Sequence, residues 1–248
     1  MLPSSTVENY LKAIYLAQSS LGHEWALVPM GQLAAALGVV PGTATTMVKT
    51  LAEAGLVNYE PYAGVRLTAA GERLATMVLR RHRLIELFLV EVMRMSWAEV
   101  HDEAERLEHA VSDRLIERID EMLGQPTVDP HGDPIPDAHG TVHRADHETL
   151  LTCPLNTPLV ISRVTDQDAA FLRFVEDQRL KPGEHIEVEA RDAAADAVHV
   201  RRRNREPITL GAAAASKLLV EVAGALVLCL AVAASGPTWA RAAAFFFQ

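Results

Sequence analysis

Sulfur is scarce in this chain. It has two cysteines, Cys153 and Cys229, far apart and in no C-x-x-C pattern. That excludes a disulfide framework and a thiolate zinc site, and it fits a reducing compartment. The N-terminus, Met1-Leu2-Pro3-Ser4-Ser5, lacks the basic and apolar regions of a secretory leader, so a cytoplasmic protein is expected. No apolar run is long enough to span a bilayer. The apolar run of the C-terminal tail, Gly224 to Ala234, is too short, and no membrane partner is expected. An excess of positive charge is also missing: the formal net charge is -9. A DNA-binding chain usually carries a basic face, so DNA binding here would need help, for example from bound divalent cations that cancel carboxylates. Disorder is excluded by 49% hydrophobic and 22% charged residues. At 248 residues the chain is long for one core and comfortable for two.

The periodicity of the first third predicts helix, turn, helix and hairpin. Thr6 to Ser20 reads as a helix capped by Thr6, with Val7, Leu11, Ile14 and Tyr15 at helical spacing. A short helix at 29–37 begins at Pro29, and a turn follows at Gly38-Val39-Val40-Pro41-Gly42. A third helix runs from Thr43 to Ala54. Strands at 56–60 and 65–68 flank a turn at Pro61 to Gly64. This order is that of a winged helix-turn-helix. The third helix and the turn before it are candidate DNA-contacting elements, through Val40, Gly42, Thr43, Thr45, Thr46 and Lys49. Threonine hydroxyls can donate to phosphate and their methyls can meet thymine methyls, while Lys49 can reach a phosphate. The competing reading is a helix-turn-helix used only for packing.

Two long helices are expected next, at 69–95 and 97–123, the second ended by Gly124. Their apolar positions suit helix-on-helix packing and a dimer interface. On a continuous helix, His101, Glu105, Glu108 and His109 fall on one face, and carboxylates sharing a face repel unless a cation sits between them. His82 and Glu86 form a second pair one turn apart on the preceding helix. A solvated charged face is the alternative for either cluster alone; two clusters on adjacent helices favour metal. Nitrogen and oxygen donors without sulfur suit Mn²⁺ or Fe²⁺. No H-E-x-x-H motif and no nucleophile–base pair stands out, so an enzyme, such as a metal-dependent hydrolase using the same clusters, is the weaker rival. A metal-independent winged regulator is another.

Residues 125–149 read as a structured linker. Strands are expected at 159–164, 185–189, 197–200, 207–210 and 218–222, with helices at 167–180 and 212–217. His139, His143 and His147, spaced by four, would add a metal face if helical. The Arg201–Arg205 run could touch DNA, although a solvated hairpin tip suits it better.

Three stretches resemble the iron- and manganese-dependent repressor family, that of the diphtheria toxin repressor and the manganese transport regulator. They are Arg81-His82-Arg83-Leu84-Ile85-Glu86, the stretch Val100 to His109, and Pro130-His131-Gly132-Asp133-Pro134-Ile135-Pro136. The resemblance covers about residues 4–222. It implies a mainly α chain with small β parts. A winged helix-turn-helix (1–75) would be followed by a helical dimerisation and metal-binding domain with linker (76–149), an SH3-like β-barrel domain (150–224) and a tail (225–248). It implies a cytoplasmic homodimeric repressor that binds double-stranded operator DNA and holds two metal ions per subunit, Mn²⁺ favoured over Fe²⁺. One site would use Asn9, Glu105, Glu108 and His109 with Glu8 beside them. The other would use His82, Glu86 and His101 with Asp168 from the third domain, and Phe171 falls where iron-sensing members have a further polar ligand. Iron-sensing members carry sulfur at the positions of Asn9 and Glu105. Manganese sensors have carboxylates where this chain has Asn9 and Lys12.

Overall fold

The computed structural model describes residues 4–21, 26–143, 147–203 and 205–223. The apolar run after Ala223 lies outside the described residues. The chain forms two compact units. One comprises Met1–Arg83, Glu105–Val111 and Ile135–His143, the other Leu84–Ala104, Ser112–Pro134 and Arg144–Gln248.

In the first unit, α1 (Ser5–Ser20) starts two residues earlier than the Thr6 cap predicts. Ser4 is the cap, and its side chain accepts from the Val7 N–H. Helix α2 (Met30–Ala36) follows, then α3 (Pro41–Glu53). The predicted turn through Gly42 is shorter than expected, because Pro41 opens α3. Its fixed φ is pre-organised for the first helical turn, where its missing N–H costs nothing. Strands β1 (Val57–Glu60) and β2 (Gly64–Leu67) pair antiparallel, Val57 opposite Leu67, and Val28 bridges to Val65. Helix α4 (Ala69–Glu91) starts in this unit. Gly71 lets it approach the wing: a Cβ there would lie 2.0 Å from the Leu56 carbonyl oxygen. Tyr10, Leu11 and Ile14 of α1, Leu33 of α2, Val48 and Leu51 of α3, and Val65 build one core, so α1 and the helix-turn-helix move together.

The second unit carries the C-terminal part of α4, α5 (Trp97–Leu107) up to Ala104, and α6 (Asp113–Met122). The expected continuous helix over 97–123 is broken. Ala110 and Val111 both donate to the Leu107 carbonyl, closing the α5 end, and Ser112 is the N-cap position of α6. The remaining elements are β3 (Glu148–Thr149), β4 (Leu159–Val164), α7 (Ala169–Gln178), β5 (His185–Asp192), β6 (Ala197–Arg202), β7 (Ile208–Gly211), α8 (Ala212–Ala215) and β8 (Leu218–Val222). The strands form one six-stranded sheet in the order β3-β8-β4-β5-β6-β7. Among the described residues the barrel expected from the resemblance is not closed, since β3 and β7 end the sheet without pairing to each other. Alternate residues of these strands, including Ile161, Val188 and Val200, pack with Leu172 and Val175 of α7 and with Trp97.

The loop at 129–134 docks on β4 at its bulge between Ile161 and Arg163. Gly132 has φ +86, and a Cβ on it would sit 2.0 Å from the Ser162 carbonyl oxygen. Only glycine satisfies both demands. The Val164 N–H donates to the His131 carbonyl, and Arg163 pairs with Asp133.

Candidate metal centre

In the first unit, three segments bring charged side chains together. Helix α1 supplies Glu8, Asn9 and Lys12, with Glu8 and Lys12 one turn apart. Helix α4 supplies Arg81 and His82. The last turn of α5 and the turn after it supply Glu105, Glu108 and His109. The one-face spacing argument therefore needs correction. Glu108 and His109 lie beyond the helix end, and it is the turn that points them toward α1.

Glu108 is fully buried, with its side chain 0% exposed. Its carboxylate accepts from Lys12 Nζ at 2.7 Å on Oε1 and 3.0 Å on Oε2. His82 Nδ1 lies 2.6 Å from Oε2 and His109 Nε2 lies 3.3 Å from Oε1. Burial pushes this carboxyl up, but the His82 hydrogen bond and the charges of Lys12 and His82 outweigh it and hold it below the usual range. Glu105 Oε1 lies 3.6 Å from Lys12 Nζ. His109 reaches α1 with both ring nitrogens. Its Nδ1 lies 2.6 Å from Glu8 Oε2 and its Nε2 lies 2.7 Å from Asn9 Oδ1. Arg81 reaches Glu8 at 3.5 Å. Glu8, Asn9, Glu105, Glu108 and His109, taken from the resemblance, are thus gathered in one place, but with Lys12 among them.

In the second unit, Glu86 is buried and its Oε1 lies 3.0 Å from His101 Nδ1. Sequence reasoning missed two neighbours here. Asp129 and His131, both buried, place ligand atoms within 4.8 Å of one another and of a Glu86 oxygen. They come from the loop locked by Gly132. Asp129 Oδ1 accepts from the N–H groups of His131 and Asp133, at 2.8 and 2.9 Å. The signal was the Pro130–Pro136 stretch itself, read as a family marker and not as a source of side chains. His131 also sets its ring edge against Trp97, centroids 4.9 Å apart. Asp168 caps α7, accepting from Ala170 and Phe171 at 3.0 Å through Oδ1. Phe171 stacks on Phe174 under the Lys217 ammonium.

Neither minor candidate forms as imagined. Residues 137–143 are not helical, so His139 and His143 present no shared face, and His147 bonds Ser162 and Glu221 instead. Arg201 is paired with Glu189, and Arg202 donates to the carbonyls of Gln178 and Glu206.

On α3, Ala44, Val48 and Leu51 face the core, leaving Thr43, Thr46 and Lys49 on the exposed side, with Val40 67% exposed at the helix entry. Thr45 and Thr46 differ from expectation in one respect. Their hydroxyls donate back to the carbonyls of Pro41 and Gly42, so their methyl groups remain for a base edge.

The comparisons with known proteins fall on these elements. Residues 3–65 match the family described as iron dependent repressor, N-terminal DNA binding domain. Residues 68–137 match the iron dependent repressor, metal binding and dimerisation domain, and residues 148–222 match the FeoA domain. An uncharacterized HTH-type transcriptional regulator of Methanocaldococcus jannaschii is 38% identical over 116 residues, 47% of this chain and 90% of that protein. The chain belongs to the iron- and manganese-dependent repressor family. The HTH-type transcriptional regulator MntR of Lysinibacillus sphaericus is 31% identical over 122 residues, 49% of this chain and 84% of its own length. A solved manganese-dependent transcriptional repressor in complex with manganese superposes with a TM-score of 0.77 at 38% identity, covering 88% of this chain and all of that one. Members of this family are metal-dependent, DNA-binding transcriptional regulators. Among the described residues no helix is long and apolar enough to cross a membrane.

Proposed function

We propose that this chain is a manganese-responsive repressor of metal-homeostasis genes. It acts in the cytoplasm as a homodimer on double-stranded operator DNA, with Fe²⁺ as the second-ranked ion. The observation that carries this reading is the donor chemistry. The gathered side chains offer carboxylate, amide and imidazole groups, and the one described cysteine, Cys153, is buried in the sheet core beside Arg191. Hard oxygen and borderline nitrogen donors fit Mn²⁺ and Fe²⁺.

Two donor sets per subunit are proposed. His82, Glu86 and His101, with Asp168, form the set that responds to the ion; Glu8, Asn9, Glu105, Glu108 and His109 form the other, which already holds the Lys12 ammonium. Glu108 lies at His82 Nδ1, so a neutral His82 donating there would offer its Nε2 lone pair to an ion, the usual arrangement behind a metal-binding histidine. When bound, the ion supplies positive charge beside Glu86. Glu86 is fully buried, where a carboxylate is stable only with positive or hydrogen-bonding partners, and His101 Nδ1 lies 3.0 Å from its Oε1. The protein's own part is mechanical. The turn at 105–109 is tied to α1, and α1 shares its core with α3. Fixing α1 therefore fixes the recognition helix, with Val40, Gly42, Thr43, Thr45, Thr46 and Lys49 toward the major groove. Leu115 and Met122 of α6, 50% and 44% exposed, supply apolar surface for the second copy. The domain limits proposed are 1–75, 76–149 and 150–224.

Fluorescence anisotropy with operator-like DNA, titrated with Mn²⁺, Fe²⁺ and Zn²⁺ at fixed salt, tests this reading. A rise in affinity of about tenfold or more with Mn²⁺ is expected, since coupling energies of ~1–3 kcal/mol are typical. Affinity indifferent to every ion would refute it.

A further inference from the structure

The second donor set holds an ammonium. Lys12 Nζ lies between both oxygens of Glu108 and one of Glu105, at 2.7, 3.0 and 3.6 Å. The lysine side chain is 9% exposed and that of Glu108 not at all. Burying such a pair is costly, and the pairing offsets that cost only when the geometry is close and the remaining lone pairs are satisfied. Both conditions hold, because His82 and His109 attend the same carboxylate. Glu8 is met in the same way by Arg81 and His109. Cations supplied by the chain itself thus face each carboxylate of the set.

We propose that Lys12 is a built-in cation that takes the place of one metal ion, so that α1 is tied to the 105–109 turn whether or not a divalent ion is present. The proposal rests on the reading of the chain as a metal-responsive regulator and adds how the response is divided. The His82, Glu86 and His101 set carries the metal dependence, and the Lys12 set is permanently closed. An ion entering the Lys12 set would lie a few ångströms from an ammonium with the same carboxylates to share, so it enters only by expelling Lys12. Access does not keep it out. A cleft of about 480 Å³, lined by Asn9, Lys12 and Glu105 with Leu16, Gln32 and Leu37, opens onto this end of the cluster.

Equilibrium dialysis of the full chain with Mn²⁺ alone, read by elemental analysis, tests this. Wild type holds one tight ion per subunit. Lys12→Glu, which replaces the ammonium with another carboxylate, holds two. Lys12→Met, which keeps length and removes charge, tightens the second ion by about tenfold or more. Two tight ions in wild type, with affinities unchanged in Lys12→Met, would overturn the proposal. Should the variants fail to fold, acylation footprinting of wild type decides. Lys12 stays protected with and without saturating Mn²⁺ if it is the resident cation, and becomes reactive with Mn²⁺ if an ion displaces it. Failure of the underlying reading looks different: no Mn²⁺ binds to wild type or to either variant, and operator binding ignores the metal. That result removes the proposal together with metal regulation.

Discussion

Replacing Lys12 by methionine should destabilise the metal-free protein strongly, and replacing both members of its ion pair should cost clearly less than the two single replacements added together. The structure sets the scale. Nζ lies 2.7 and 3.0 Å from the two oxygens of Glu108. At an effective dielectric of about 20, unit charges about 3 Å apart attract by roughly 5 kcal/mol. Desolvation offsets part of that attraction in the intact pair. A lone survivor keeps the desolvation and loses the attraction, so breaking a buried pair costs about 3–5 kcal/mol. Lys12→Met and Glu108→Gln should each approach that cost in urea unfolding followed by far-UV circular dichroism in chelator. For a chain of this size the melting temperature should fall by roughly 10 °C. The double variant leaves no stranded charge, and the glutamine keeps an acceptor for His82. It should recover at least about 2 kcal/mol relative to the sum of the singles, a coupling that a double-mutant cycle reads directly. Single costs under about 1 kcal/mol that simply add, the behaviour of a surface pair, would refute the argument.

Gly132→Ala should destabilise the second unit by about 3 kcal/mol or more, combining a left-handed residue with a clash against a backbone oxygen; thermal melting measures it. The Cys153 thiol is pushed up by burial, against a smaller opposing effect of Arg191, so in the native protein it should be alkylated at least about tenfold more slowly than in urea at mildly alkaline pH, by site-resolved mass spectrometry. Asp137 is held below the usual carboxylate range, chiefly by the N–H of Thr141 and also by that of His139. A depressed native value contributes stability above the unfolded value, near 3.9, that is lost as pH falls through the native one, so Asp137→Asn should flatten the acid limb of the stability profile. Because the hydroxyls of Thr45 and Thr46 donate within α3, Thr→Val at either position should leave operator affinity within about threefold. Thr→Ser, which removes the methyl, should weaken discrimination at a thymine by ~1 kcal/mol in the anisotropy assay.

The winged module was legible because each of its signals is local. Apolar spacing located α1 and α3 within two residues, and the two-residue shifts to the Ser4 cap and to Pro41 are matters of where a helix begins. The strands of the second unit were found by a period-two signal that is equally local, whereas the lack of closure among the described residues depends on pairing between distant edges that no local pattern encodes. Asp129 and His131 were missed for a related reason. Their approach to Glu86 is arranged by Gly132 lying flat against Ser162, a contact between loop and strand that spacing arguments do not reach.

The break after Leu107 is the case where pattern and physics parted most usefully. A continuous helix would have stacked His101, Glu105, Glu108 and His109 along one stripe, four ligands for one ion. Ser112 instead opens a new helix, and the chain between has to turn. The turn carries Glu108 and His109 past the helix end to α1, Glu105 reaches the same Lys12 from the last helical turn, and His101, one turn earlier, meets Glu86. Spacing could name these residues as donors but could not count the sites or see what already filled one of them. That depended on Lys12, whose place one turn after Glu8 looks in sequence like an ordinary surface ion pair along a helix. Its burial against a carboxylate 96 residues away makes it a structural cation, and a sensor with one such cation needs fewer metal ions to reach the same tied state.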